Sequence, residues 1–406
     1  MNTLPLLKAG SFIALSSVVS AQSLFVEDPN EDTESSLPLR YTASVGVGYN
    51  DHFTSNSSRA ATNSAYINAS LGADYATYTP RTSWNVGASL TANKYLDDSS
   101  GDGVYYNGRL NFNLNHRLSE RTRYVNSTYF NYGIEPNYSY SFAPNRTPSE
   151  HLYYVTDHAI GHRWTARLAT YTGVKVSGVN YRGSIDAGND RLTYGVYNNF
   201  RYSVSPQSVL TADFAYNKNE ASGSSSDSTG ITAAIGLEHK LSRSSYFTGR
   251  VGTTYRDVDD GRSGYYNPYV NLALTNRINN NLTVKTYARY GIENYGTSQG
   301  VNTYDTNQSL RIGASATYMV SPKLSLNAGV NYIRTDFSDG RNASTGSAVS
   351  GYDQSLINPY VGFTYKLKEN VSINGSYYYT KSDSSITSSF SDYERNRLQL
   401  GVSTTF

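Results

Sequence analysis

From position 39 onward, apolar and polar residues alternate with period two along most of the chain. Leu39, Tyr41, Ala43, Val45, Val47 and Tyr49 are separated by Arg40, Thr42, Ser44, Gly46 and Gly48. Trp84, Val86, Ala88, Leu90 and Ala92 alternate with Asn85, Gly87, Ser89 and Thr91, and Ile231, Ala233, Ile235 and Leu237 follow the same rule. Successive side chains of a strand point to opposite faces, so this pattern predicts strands with one apolar and one polar face. No segment carries a sustained helical stripe. The chain reads as all-β.

Connections between the predicted strands alternate between tight and long. Thr79-Pro80-Arg81, Ser119-Glu120-Arg121, Ser205-Pro206-Gln207, Asn279-Asn280-Asn281, Ser321-Pro322-Lys323 and Lys368-Glu369-Asn370 have the Pro, Asn and Ser chemistry of tight turns. Long polar connections fall at 51–63, 97–103, 135–150, 183–190, 219–229, 257–264, 293–305, 336–353 and 382–392. Nine long loops require about 18 strands of ~10–14 residues, the layout of an antiparallel up-and-down transmembrane barrel with short periplasmic turns and longer extracellular loops. An even strand count puts both termini on the periplasmic side. A soluble sandwich also alternates. However, the polar face here is Gly, Ser, Thr, Asn and Arg, which suits a wet lumen, and aromatic residues gather near strand ends, where a lipid-facing girdle places them. A closed barrel also leaves no edge strand to protect.

Composition narrows the function. Lys and Arg total 34 against 32 Asp and Glu, a formal charge of +2, which argues against a nucleic-acid partner. There is no Cys, hence no disulfide, thiolate metal site or Cys nucleophile. Tyr alone counts 39, far more than an ordinary cytosolic enzyme carries. At the N-terminus Lys8 precedes an apolar stretch over 9–19, and Val19-Ser20-Ala21 forms a small-x-small cleavage pattern, which predicts a signal peptide over 1–21. Residues 22–38, with Glu27, Asp28, Glu31, Asp32 and Glu34, read as a disordered acidic leader, and 39–406 as the barrel.

The last strand reads Leu398-Gln399-Leu400-Gly401-Val402-Ser403-Thr404-Thr405-Phe406. Alternating apolar residues ending in Phe406, with Gly401 upstream, resemble the assembly signal of bacterial outer-membrane barrels; Thr404 departs from it, since an apolar residue is commoner there. With the strand pattern and the signal peptide, the chain resembles a bacterial outer-membrane β-barrel protein of the putative porin type over 39–406. The resemblance implies residence in the outer membrane among lipid and lipopolysaccharide, delivery by the barrel-assembly machinery, and passage of small hydrophilic solutes. It implies no cofactor.

Candidate chemistry is sparse. The six histidines include Asp157-His158 with His162; on a strand the two imidazoles share a face roughly 13 Å apart, too far to chelate one metal. Their strand alternates poorly, so the face stays open. HExxH and GxSxG are absent, and no catalytic or metal site is assigned. Asp257-Val258-Asp259-Asp260-Gly261 and the acidic run 97–102 lack the ligand spacing of a calcium loop.

Charge is sorted instead. Taking the polar face as inward places Arg40, Arg109, Lys175, Arg201, Arg250, Lys285, Arg289, Arg311, Lys366 and Arg397 in the lumen with Asp74, Asp213 and Glu238. The long loops hold Asp51, Asp97, Asp98, Asp102, Asp186, Asp190, Asp227, Asp257, Asp259, Asp260, Asp305, Asp336 and Asp339. A basic interior under an acidic rim fits a diffusion channel with weak anion preference, and about 18 strands enclose an aqueous passage. The alternative is a structural or surface-binding barrel, associated with adhesion or polysaccharide export, whose lumen its loops close. Bilayer conductance separates the two.

Overall fold

A computed structural model describes residue 24 and residues 37–53, 62–97, 103–134, 150–182, 190–222, 226–242, 244–259, 264–293, 302–342, 344–385 and 392–406. Its strands are β1 (Leu37–Phe53), β2 (Thr62–Tyr78), β3 (Thr82–Tyr95), β4 (Val104–Arg117), β5 (Thr122–Gly133), β6 (His151–Arg163), β7 (Leu168–Tyr181), β8 (Arg191–Ser205), β9 (Ser208–Ala221) and β10 (Ser228–Ser242). There follow β11 (Ser245–Val258), β12 (Tyr265–Arg277), β13 (Leu282–Ile292), β14 (Asn302–Met319), β15 (Leu324–Asn342), the two-residue β16 (Ala348–Val349), β17 (Tyr352–Lys366), β18 (Val371–Ser384) and β19 (Tyr393–Thr405). Each long strand pairs antiparallel with the next long one in the chain, and β1 pairs with both β2 and β19. Eighteen spanning strands therefore close into one barrel, and β16 only decorates the end of β15. No described helix is long and apolar enough to cross a membrane.

The predicted alternation of tight and long connections holds throughout. The tight ends are local hydrogen-bond devices. Thr79 Oγ1 accepts from the Thr82 amide at 2.9 Å, and Asn279 Oδ1 accepts from the Asn281 and Leu282 amides at 2.8 and 2.9 Å. A further tight turn, 164–167, has no Pro or Asn to announce it; there Thr165 Oγ1 accepts from the Arg167 and Leu168 amides. Most spanning strands keep to the expected 10–14 residues, but β1, β2, β8, β10, β14, β15 and β17 run longer, reaching 19 in β15. The long connection expected at 336–353 is therefore largely ladder: Asp336 and Asp339 stand on β15, which pairs there with β14 and β16. β1 likewise starts at Leu37, two residues before the expected barrel boundary.

The apolar face is the outer one. Val45, Leu71, Leu90, Val196, Ile235 and Val361 are 54–68% exposed, the arrangement a barrel in lipid requires, since every backbone polar group is met by a neighbouring strand. Tyrosine abundance has a structural reason. Gly48, Gly161, Gly173, Gly313 and Gly329 lie directly across the ladder from Tyr66, Tyr171, Tyr197, Tyr287 and Tyr360, and each ring occupies the space a Cβ would need. The rings lie flat on the inner wall over glycine, covering backbone without projecting into the lumen. Their hydroxyls reach onward along the wall, as Tyr287 does to Asn331 Oδ1 at 2.8 Å.

Candidate functional site: the charged lumen

Ladder parity sets the expected basic residues on the side opposite the exposed apolar ones, and the register arranges several of them in one row. Arg250 pairs with Asn271, Asn271 with Arg289, and Arg289 with Arg311, so three guanidinium stems rise from four adjacent strands. The row ends in an apolar wall that alternation did not reveal: Arg311 faces Ile333, which faces Leu356, both fully buried.

Pairing divides these cations into two sets. Arg201 donates from Nη1 and Nη2 to both Glu238 carboxylate oxygens at 3.0 and 2.7 Å, with the side chains only 1% and 2% exposed. Glu238 also accepts from Arg250 Nη2 at 3.1 Å, while Arg250 Nε binds Asp213 at 3.0 Å. Two arginines and two acids thus form one neutral network near the periplasmic ends of β8–β11. Bidentate, charge-assisted geometry is what makes a buried pair tolerable. Arg311 is likewise neutralised by Glu293, through Nε and through Nη2 at 2.7 Å. Glu293 stands just past β13, where the sequence suggests only a loop; its carboxylate turns inward onto the wall.

Among the described residues, Arg109, Lys175 and Arg289 form no ion pair. Arg109 is exposed to the lumen and lies over the Tyr129 ring at 5.9 Å. Lys175 is exposed and stands opposite Asp157 across the β6–β7 ladder. Asp157 is a lumen acid that sequence reasoning passed over, because it was read together with His158. Alternation separates the two: Asp157 accepts from Tyr197 Oη at 2.6 Å inside, while His158 faces out. Arg289 and Lys175 face the lumen from well-separated parts of the wall, on β13 and β7.

Of the other inward cations, Arg40 faces Asp74 and Arg397 donates to Tyr66 Oη at 3.3 Å. Lys285 and Lys366 line the inner wall nearer the periplasmic end. Leu24 adds an element no pattern announced: its backbone carbonyl accepts from Arg201 Nε at 3.0 Å, so part of the N-terminal segment touches the lumen wall. Positions 22, 23 and 25–36 of the expected acidic leader, and the expected signal peptide over 1–21, lie outside the described residues, as do the acidic run 98–102, Asp186 and Asp260, whereas 37–38 belong to β1. Gly401 and Phe406 sit at the closing seam. Gly401 packs against Gly46, where a Cβ would meet the Val45 carbonyl at 2.9 Å, and the Phe406 and Tyr41 backbones exchange two hydrogen bonds of 2.8 and 3.0 Å.

Among solved structures, the outer membrane protein opdK of Pseudomonas aeruginosa aligns with a TM-score of 0.48 at 11% identity, covering 91% of this chain and 99% of that one. OccAB4 of Acinetobacter baumannii gives 0.44 at 14% identity, with 93% and 100% covered. The FrpB iron transporter of Neisseria meningitidis gives 0.46 at 11% identity, with 87% of this chain covered; the chain spans only 64% of the FrpB length. No curated protein matches the chain. A family model described as putative beta-barrel porin 2 matches residues 40–406, nearly all of the closed barrel. The chain belongs to that family of porin-like outer-membrane barrels.

Proposed function

We propose that this barrel is a diffusion channel for small hydrophilic solutes with a modest preference for anions, set by the fixed lumen charges of Arg289, Lys175 and Arg109. The observation that carries it is the division of the lumen cations. Arg201, Arg250 and Arg311 are neutralised by Glu238, Asp213 and Glu293, while Arg109, Lys175 and Arg289 are not ion-paired. Fixed positive charge in a narrow wet passage raises the local anion concentration, and salt screens that field over ~10 Å at 0.1 M. Asp157 beside Lys175 offsets part of it, which keeps the preference weak.

The purified barrel should conduct in planar bilayers, with anion selectivity that falls as salt rises. Lys175→Met with Arg289→Gln should bring selectivity close to neutral while the barrel stays folded. Cation preference in the unaltered protein would place control in the acidic loops. A folded protein that never conducts would favour the closed, structural or surface-binding barrel, a reading that the Leu24 contact inside the lumen supports.

A further inference from the structure

The lipid-facing wall is apolar around most of its circumference and polar over four adjacent strands. Residues facing outward on β5–β8 include Asn126, Thr128, Thr156, His158, Thr172 and Asn198. Their orientation follows from the ladder: His158 pairs with Val174, which is 48% exposed, and Asn198 pairs with Phe214, which is 53% exposed. They hydrogen-bond to one another. His158 Nδ1 contacts Tyr124 Oη at 2.6 Å and His158 Nε2 contacts Thr156 Oγ1 at 2.9 Å. Asn126 Nδ2 reaches His158 Nδ1 at 3.1 Å, Thr128 meets Thr156 at 2.8 Å, and Asn198 donates to Thr172 at 2.6 Å. Elsewhere on the outer wall Leu90, Val251, Leu272, Leu326 and Val361 are apolar, with Gly249, Gly375 and isolated threonines such as Thr253 and Thr286 among them.

Depth matters here. Trp164, 57% exposed, marks the periplasmic end of this wall, and His158 lies six residues above it. At ~3.3 Å per residue and a ~40° tilt, that is roughly 15 Å up an apolar band about 25 Å tall. Thr172 is exposed, Thr128, Thr156, His158 and Asn198 are half-buried and Asn126 lies buried beneath them, so the outer atoms of the patch meet acyl chains, which offer no hydrogen bonds, beyond the reach of phosphate headgroups. Its internal bonds lower the cost of exposure, but each hydroxyl keeps lone-pair capacity that hydrocarbon leaves unused. Its groups are neutral and include both donors and acceptors, so the patch is complementary to itself. Thr128, Thr156 and Thr172 are also small, which permits two walls to approach closely, as small polar residues do between membrane segments.

We infer that this face is where a second copy of the chain packs, the two β5–β8 walls meeting within the membrane in a closed symmetric assembly. The chain contains no cysteine, so a single introduced one reports alone. Ile160 and Val174, 51% and 48% exposed, flank the patch; Val361, 54% exposed on β17, lies on the opposite side of the barrel. In outer membranes treated with a flexible bis-maleimide, Ile160→Cys and Val174→Cys should give cross-linked dimers and Val361→Cys should not. Native mass spectrometry from mild detergent should give a multiple of the chain mass. Replacing Asn126 and His158 together with Leu should lower the cross-linked fraction roughly tenfold, with folding verified by heat-modifiable migration on gels. Monomer alone with no cross-link at either patch position would overturn the inference. So would equal cross-linking at Val361, an unchanged yield in the Leu variant, or capture of a different protein at the patch.

Discussion

Gly313 shows how a single residue shapes the passage. Its missing Cβ leaves room for the Tyr287 ring, which lies along the wall and anchors its hydroxyl on Asn331. A side chain there must displace the ring toward the lumen. Gly313→Val should therefore reduce single-channel conductance while insertion continues, and unaltered conductance would mean that the ring has another way to lie flat. Facing can be tested at one position and its neighbour. Leu90, 55% exposed, lies mid-strand on the outer face, and Ser89 points inward opposite Arg109. Leu90→Arg should destabilise the inserted barrel by ~2–4 kcal/mol, measured by reversible unfolding from lipid, and Ser89→Arg should cost far less. Equal losses would reverse the assignment of faces. Which face a residue takes was legible wherever one face was consistently apolar. It was illegible on β6, because the inner positions Val155 and Ala159 are apolar while the outer positions Thr156 and His158 are polar, so hydropathy opposed geometry.

Between elements, register decides what alternation cannot. Arg201 meets Glu238 across an intervening strand, 37 residues away, and Arg250 joins both acids of the network. Parity places all four side chains in the lumen, yet nothing in the residue order says which will touch. Several of the expected lumen cations are therefore neutralised by acids that residue order does not place beside them. Arg201→Gln should expose the consequence. It leaves Glu238 buried beside Arg250 alone, and removal of one partner of a buried pair typically costs ~3–5 kcal/mol. The variant should unfold at lower denaturant than the parent; if its midpoint is unchanged, solvent reaches the pair. At the seam, Phe406 is 68% exposed and adds little packing, but its backbone closes the ladder with Tyr41. Deleting it should lower the amount of protein reaching the outer membrane more than it lowers the stability of barrels already inserted. Normal levels of the deletion variant would remove its role as an assembly signal.

For the molecule as a whole, the tight and long connections specified strand number and direction, because each turn carries its own hydrogen-bonding residues. Which lumen cations are neutralised was not readable, since that depends on side chains brought together from strands distant in the sequence. A further expectation belongs at this scale: envelope protein should begin near Gln22, and intact-mass measurement finding Met1 retained would end the signal-peptide reading. Cleavage there would leave Leu24 as the third residue, bringing the new amino terminus close to the Arg201 contact inside the barrel.

The closing ladder between β1 and β19 has a consequence for biogenesis. Opening strand and final strand are immediate neighbours, and more than 300 residues intervene between Asn50 and its partner Arg397. A ribosome that stopped early would not yield a narrower cylinder. It would release a sheet with two unpaired rims, adhesive to other strands and unfit for hydrocarbon. Selection against truncated products is thus built into the topology: the wall closes only when the last strand pairs with the first.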